Sequence, residues 1–142
     1  MSLFGAIAVS ASGMAAERTR AELLVENLAN AETTRTPEGG PYRRKDAVFA
    51  SQPMATSFAA LFESHLQEGV GVQEISVDNR DPEQRYLPGH PDAGPDGYVA
   101  FPRMNPAEDM VDLAGASRSF QANVAAISAV KDMIMRSIDL FK

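Results

Sequence analysis

The residues best suited to chemistry lie in one proline- and glycine-rich stretch, residues 81–97, "DPEQRYLPGHPDAGPDG". It holds one imidazole and two nearby carboxylates, those of His90, Asp92 and Asp96. Such a set could ligate a divalent metal that activates water for hydrolysis. The alternative is a surface loop in which proline and glycine fix the backbone and aspartate satisfies turn amides. We favour the loop, because the only other histidine, His65, has no acidic partner at metal-ligand spacing.

No other catalytic or nucleotide-binding motif is present. The sequence contains no G-x-S-x-G elbow, no G-x-G-x-x-G and no G-x-x-x-x-G-K-[ST]. The basic run Arg43–Lys45 is followed by Asp46 and is typical of a solvated strand end. A patch for anionic lipid and a contact with an acidic neighbouring subunit are the alternatives. We therefore predict a protein that is not an enzyme, with no metal, no cofactor and no small-molecule substrate.

Composition limits the class of protein further. The 142 residues suffice for one domain, and 44% of them are hydrophobic. A net charge of -6 argues against a nucleic-acid binder, which needs an excess of Lys and Arg to displace counterions from phosphates. With no cysteine there is no disulfide framework and no thiolate ligand, which suits a chain that passes unfolded between compartments.

The start of the chain, "MSLFGAIAVSASGMAA", is apolar, as signal peptides are. It lacks the basic n-region, and Ser10 and Ser12 interrupt its apolar run, so we do not expect cleavage. No apolar stretch approaches the roughly 20 residues that span a bilayer, so direct membrane insertion is not expected.

The distribution of prolines divides the chain into three parts. All nine prolines and seven of the ten glycines lie between Pro37 and Pro106. We therefore predict an N-terminal helix with a hinge over 1–36, an irregular and partly β middle region over 37–104, and a C-terminal helix over 105–142. Within the middle region, strands are expected at 41–50, at 69–77 with a bulge, and at 97–102.

The middle region also contains "TSFAALFESHL", whose spacing predicts a short amphipathic helix near 57–66. The start of the C-terminal helix is better defined. Asn105 is a suitable cap, and Pro106 suits the first helical position. Glu108 lies three residues after the cap, as the acidic residue of a capping box does.

Each terminal segment has apolar residues at alternating spacings of three and four, which we call a seam. The N-terminal seam comprises Phe4, Ile7, Ala11, Met14, Ala21, Val25 and Leu28. The C-terminal seam comprises Leu113, Phe120, Val124, Ile127, Ile134, Ile138 and Phe141, with Met110 at its start. Three polar residues fall at seam positions and are predicted to fix register between helices, as polar residues at core positions do in coiled coils: Arg18, Ser117 and Lys131.

The predicted fold is therefore mainly α, with the long terminal helices packed as an antiparallel, coiled-coil-like pair. At ~1.5 Å per residue each helix runs about 40 to 50 Å. The middle region is too small to cover both seams. We expect the seams to find further helices in other copies or other chains, and so to form subunit interfaces.

Several stretches resemble the bacterial flagellar basal-body rod proteins. They are "VSASGM" (9–14), "ENLANAETTRTPEGGPYRRKD" (26–46), "PGHPDAGPDGYVAFPRMNP" (88–106) and "ASRSFQANVAAISAVKDMI" (116–134). The residues that carry the family signature most clearly are Asn27, Leu28, Ala29, Asn30, Gly39, Gly40, Pro41 and Tyr42. The segment 51–69 shows the least family pattern.

The resemblance implies a structural subunit of the proximal rod, the drive shaft that crosses the periplasm and transmits torque. It implies export from the cytoplasm by the flagellar type III apparatus without a cleaved signal, and terminal helices that pack into the inner tube. The implied partners are other copies, other rod subunits and the adaptor that joins the rod to the membrane ring. The alternatives are a stand-alone coiled-coil adaptor and the metal-dependent hydrolase considered above.

Overall fold

The computed structural model describes residues 3–53 and 68–140. Two long helices and four strands follow in the order α1 (Leu3–Ala29), β1 (Lys45–Pro53), β2 (Glu68–Val77), β3 (Glu83–Tyr86), β4 (Tyr98–Phe101) and α2 (Pro106–Asp139). The chain is mainly helical with a small β part, which confirms the predicted fold class. The short helix predicted near 57–66 lies outside the described residues.

The two helices pack against each other in opposite directions. Gly13 of α1 lies against Asn123 of α2, whereas Ala21, further along α1, shares a groove with Leu113, which lies earlier in α2. A Cβ at Gly13 would lie 3.2 Å from the side-chain nitrogen of Asn123, so glycine permits this close approach. The predicted antiparallel pair is confirmed.

The helices differ in length, so their ends do not match. α1 has 27 residues and α2 has 34, about 40 and 50 Å respectively. Leu3 lies ten residues before Gly13 and is therefore level with the residue ten positions beyond Asn123. The last turns of α2 extend past it, and Met135, Ile138 and Leu140 are exposed there.

The start of α2 is capped as the sequence predicts. The Asn105 side chain accepts a hydrogen bond from the Ala107 backbone N–H at 3.1 Å, and Pro106 occupies the first turn. The Glu108 carboxylate accepts from the Asn105 side-chain amide at 3.1 Å, so it positions the capping side chain. In a capping box it would accept from the backbone N–H of the cap residue instead.

β1 and β2 form an antiparallel hairpin that packs on α1. The register runs from Lys45 opposite Val77 to Pro53 opposite Glu68, with a shift between Val48 and Phe49. The shift is the predicted bulge, and it explains why the apolar parity of β2 changes between Val70 and Ile75. The Val70 backbone N–H donates to the Ser12 hydroxyl of α1 at 3.0 Å.

β3 and β4 form a second antiparallel pair, of which only β4 is predicted from the sequence. All four residues of β3 are exposed, so it has none of the apolar alternation by which strands are recognised. β4 carries the buried side chains Val99 and Phe101, and the rings of Tyr86 and Tyr98 meet edge to face at 5.3 Å. Buried hydrophobic side chains thus occur on β4 as well as on the helices.

Within residues 3–53 and 68–140, neither helix has the length and apolarity that a bilayer span requires. The buried hydrophobic side chains of the helices are few: Ala16, Leu23 and Leu24 on α1, and Ala116 and Val130 on α2.

Candidate functional site

The N-terminal seam separates into two rows in the structure. Ile7, Met14, Ala21 and Leu28 are half-buried, and Phe4, Ala11, Arg18 and Val25 are exposed. The members of each row lie seven residues apart, so each row follows its own line along α1. Phe4 is 76% exposed and Val25 is 52% exposed. The residues that α1 buries most, including Ala16 and Leu23, belong to a neighbouring line.

The C-terminal seam separates in the same way. Leu113, Phe120, Ile127 and Ile134 are half-buried, and Met110, Ser117, Val124, Lys131 and Ile138 are exposed. The half-buried row alternates with Asp109, Ala116, Asn123 and Val130, which face into the chain. The contact face of α2 is thus rotated by part of a turn from the predicted seam. Phe141 lies outside the described residues.

Both exposed rows border one groove between the helices. Arg18 of α1 and Ser117 of α2 line it, and Ala21, Leu113 and Phe120 come from the half-buried rows. Its volume is about 400 Å³. We call it the helix groove, and its lining shows that the exposed rows of α1 and α2 lie on the same side of the pair.

Glu17 also lines the helix groove, and the sequence analysis did not single it out. Its Oε2 atom is buried and has no hydrogen-bond partner among the described residues. A buried carboxylate oxygen without a donor costs on the order of 1–3 kcal/mol. A donor from outside the chain would remove this cost. The only signal in the sequence is an acidic residue next to a seam position.

No hydrogen bond or ion pair joins the three predicted register residues to one another within the described chain. Arg18 donates to Glu22 one turn along α1, at 2.8 Å, and both side chains are exposed. Ser117 and Lys131 are exposed on α2. Their role between subunits stays a prediction.

The signature residue Asn27 ties the end of α1 to the start of β1. Its side chain is fully buried and makes three hydrogen bonds. Nδ2 donates to the Lys45 carbonyl at 2.8 Å, and Oδ1 accepts from the Lys45 N–H and from the Tyr42 hydroxyl, both at 3.0 Å. An amide is suited to this position because it both donates and accepts.

Tyr42 closes the same cluster from the loop side. Its backbone N–H donates to the Thr33 carbonyl at 3.0 Å, and its ring lies under the Lys45 ammonium. Burial raises the pKa of the Tyr42 hydroxyl to about 12, and the negative charge of Glu26 adds to the effect. The phenol therefore stays protonated and donates to Asn27 at all physiological pH values.

A second connection joins β1 to α2. The Arg44 guanidinium donates to Asp109 Oδ1 through Nε at 3.0 Å and contacts it through a terminal nitrogen at 2.8 Å. The Asp109 side chain is 1% exposed, so this is a buried ion pair, and Arg44 also pairs with Asp46 at 2.7 Å. We call Asn27, Tyr42, Arg44 and Asp109 the hinge cluster. It links α1, β1 and α2.

The remaining signature residues shape the loop between α1 and β1. The Asn30 side chain donates to the Glu26 carbonyl at 2.9 Å and accepts from the Thr33 hydroxyl, so it caps the end of α1 within the chain. Gly39 and Gly40 have φ of 93° and 76°, a conformation that favours glycine. Their turn is closed by the Thr36 N–H, which donates to the Gly40 carbonyl at 2.8 Å.

The loop with His90 is held by its own hydrogen bonds. His90 Nδ1 accepts from the Asp92 backbone N–H at 3.1 Å, and the Asp92 carboxylate accepts from the Thr34 hydroxyl at 2.8 Å. Asp96 is exposed. In the described parts of the chain, no three His, Cys, Asp or Glu side chains come together as a metal site would need.

Comparison with known proteins agrees with the resemblance. The family model "Flagellar basal body rod FlgEFG protein C-terminal" matches residues 96–140, a range that includes β4 and α2. The chain is 38% identical to the flagellar basal-body rod protein FlgC of Bacillus subtilis, with 100% of both chains covered. It is 34% identical to FlgC of Borreliella burgdorferi (100% of this chain, 99% of the relative) and of Salmonella typhimurium (99% and 98%).

The matched regions cover both helices and the residues between them, and these relatives confirm the resemblance drawn from the signature residues. The chain belongs to the FlgC family of flagellar basal-body rod proteins.

Proposed function

We propose that this chain is a structural subunit of the flagellar basal-body rod and that it acts by packing, not by catalysing a reaction. Relatives matched over the full length of the chain carry the name of a rod protein. No enzymatic role is assigned to the hinge cluster, whose side chains connect α1, β1 and α2 through hydrogen bonds and a buried ion pair.

The observation that carries the proposal is the pair of exposed rows beside the helix groove. They present Phe4, Val25, Met110, Val124 and Ile138 to solvent along helices of 27 and 34 residues. Apolar side chains exposed along helices of this length mark an interaction site, and their burial stabilises an assembly by roughly 25 cal/mol per Å². Helices from neighbouring subunits would cover the rows, and the unpartnered Oε2 of Glu17 would gain a donor there.

The finer placement follows from the family resemblance. We infer that the chain lies in the proximal rod in the periplasm, where it transmits torque. Its neighbours are other copies, other rod subunits and the rod-to-membrane-ring adaptor. The flagellar type III apparatus exports it without a cleaved signal. The antiparallel helix pair supports this account, since its exposed rows offer faces on which further helices can pack.

Val124→Asp tests the interface. Val124 is 42% exposed beside the helix groove, so a charge there leaves the fold of the monomer intact but would be buried without a partner in the rod. We expect loss of rod assembly and of motility in cells that carry the variant, with unchanged circular dichroism of the purified chain.

Ala125→Asp is the matched control. It adds the same charge one residue further on, at an exposed position about 100° around the helix and directed away from α1. We expect it to support motility. Normal motility of the Val124→Asp strain would show that the exposed row is not an interface, and loss of motility in a strain lacking the gene is the baseline for both variants.

A further inference from the structure

A small pocket, separate from the helix groove, lies beside the loop between α1 and β1. Four arginines line it: Arg43, Arg44, Arg80 and Arg103. We call it the arginine pocket. Its volume of about 70 Å³ fits one small oxyanion group, whereas drug-sized ligands need roughly 300 Å³ or more. Four of the chain's 13 basic residues meet here, although the chain as a whole has a net charge of -6.

Two of the four arginines are neutralised within the chain. Arg80 binds both oxygens of Asp78, at 2.9 and 2.5 Å. Hydrogen bonds from Arg80 lower the pKa of the Asp78 carboxyl to about 2, so this carboxylate is ionised and forms an ion pair with Arg80. Arg44 is committed to Asp109 and Asp46 in the hinge cluster.

The other two keep their charge. Arg43 donates through one nitrogen to the Asp78 backbone carbonyl at 3.4 Å and to Asn79 Oδ1 at 3.1 Å, and both acceptors are neutral. These bonds fix the guanidinium and leave its other donors available. Arg103 is exposed and forms no ion pair within 4 Å in residues 3–53 and 68–140. Asp78 and Glu83 lie within electrostatic range of Arg103, but neither Arg43 nor Arg103 is bound by a carboxylate within the described residues, so the arginine pocket presents two guanidinium groups without an ion-pair partner.

The mouth of the pocket is open to an incoming group. Gly39 and Gly40 form one wall, and a Cβ at either position would meet nothing within 4 Å. Their positive φ disfavours residues with a Cβ, so no side chain projects from this wall into the mouth of the pocket. A guanidinium fixed by neutral acceptors beside an exposed second one is a suitable receptor for a carboxylate, which accepts bidentate hydrogen bonds from arginine.

We propose that the arginine pocket binds an aspartate or glutamate carboxylate of a second copy of this chain in the assembled rod. This inference rests on the proposed function. The occupant is argued from charge complementarity, because the chain has 19 acidic against 13 basic residues. Glu74, Asp96 and Asp132 are exposed and form no ion pair within the described residues, so a neighbouring copy presents carboxylates that lack a cation.

Charge reversal of Arg103 is the test. Arg103→Glu leaves the hinge cluster intact and should reduce the number of assembled rods, and hence swarming, at least about tenfold, since like charges facing each other at an interface cost several kcal/mol. Arg103→Gln removes the charge without repulsion and should give a smaller loss. Arg118→Glu makes the same charge reversal at an exposed position on α2 outside the pocket and should swarm normally.

Motile suppressors of the Arg103→Glu strain then identify the occupant. Suppressors that replace an acidic residue of this same chain by lysine or arginine support the proposal, and Glu74→Lys, Asp96→Lys and Asp132→Lys can be combined with Arg103→Glu directly. Suppressors only in other rod genes would overturn a second copy as the source of the carboxylate. If the Arg103→Glu strain swarms normally while the Val124→Asp strain is non-motile, the proposal for the pocket is overturned and the rod function stands. If both strains swarm normally, the result counts against the rod function itself.

Discussion

The side chains of the hinge cluster find their partners within the chain, whereas the side chains of the exposed rows of the helix pair face solvent. In the hinge cluster, Asn27 makes three hydrogen bonds and Asp109 a buried ion pair, all within one chain. Along the exposed rows, apolar side chains such as Phe4 and Ile138 face solvent. The hinge cluster is therefore held together within the single chain, with only Asp109 Oδ2 left without a hydrogen-bond partner among its described contacts, whereas the exposed rows carry apolar side chains that the described chain does not cover.

This difference separates two kinds of mutation. Changes in the hinge cluster act on the stability of the monomer, because they leave buried polar groups unpaired. Changes on the exposed rows act on assembly, because nothing in the described chain depends on them. The predictions below run from the largest expected loss of monomer stability to the smallest.

Asp109→Leu should have the largest effect. It removes the buried partner of the Arg44 guanidinium, which keeps its pair with Asp46, so we expect a loss of about 3 kcal/mol. Urea denaturation of the purified chain measures the loss. Glu83→Leu is the control, because it removes an exposed pair with Arg85 and should cost less than about 1 kcal/mol. Equal losses for the two variants would show that burial does not govern these pairs.

Tyr42 should make stability depend on alkaline pH. Its pKa in the folded chain, about 12, is above the unfolded value of 10.0, so its contribution is complete below pH 10 and is lost as pH rises through 12. Two pKa units correspond to about 2–3 kcal/mol. Tyr42→Phe should cost about 1 kcal/mol at pH 7 and lose this part of the alkaline decline. Identical declines in the two proteins between pH 10 and 12 would contradict the assignment.

Gly39→Ala should have an intermediate effect. A φ of 93° costs a residue with a Cβ about 1–2 kcal/mol, although there is open space for the methyl group. Gly89→Ala is the control, since Gly89 also faces open space but does not have a positive φ. Thermal unfolding separates the two, and a variant at Gly39 as stable as the one at Gly89 would refute the backbone argument.

Lys131→Leu should have the smallest effect on the monomer, within about 0.5 kcal/mol, because Lys131 is exposed. If Lys131 fixes register between subunits, the same variant impairs rod assembly, and Lys131→Arg, which keeps the charge, does not. Electron microscopy of basal bodies and a swarming assay measure this. Normal rods in the Lys131→Leu strain would remove the register hypothesis and narrow the interface to the apolar members of the row.

The local features that the sequence predicted are those with a local physical cause. The alternation of three and four predicted both helices, Asn105 predicted the start of α2, and the change of parity after Val72 predicted the bulge. β3 was missed because it pairs through its backbone and buries no side chain. A strand of this kind has no periodicity to detect.

The hinge cluster joins residues that are far apart in the sequence, so no local pattern could predict it. Asp109 and Arg44 are 65 residues apart in the chain, and Asn27 and Lys45 are 18 apart. The sequence marked Asn27 and Tyr42 only as members of a family signature. Their bonds to each other, and the pairing of Arg44 with Asp109, required the helices to be packed.

The sequence by itself determined that two long amphipathic helices flank a middle region rich in turns, because helix period, caps and breakers are properties of neighbouring residues. The tertiary structure decided which side of each helix faces the chain. A seam with alternating spacing covers a stripe wide enough to contain two rows, and only the packing of α1 against both α2 and the hairpin selects the row that is buried. It is that selection which leaves the other row exposed beside the helix groove.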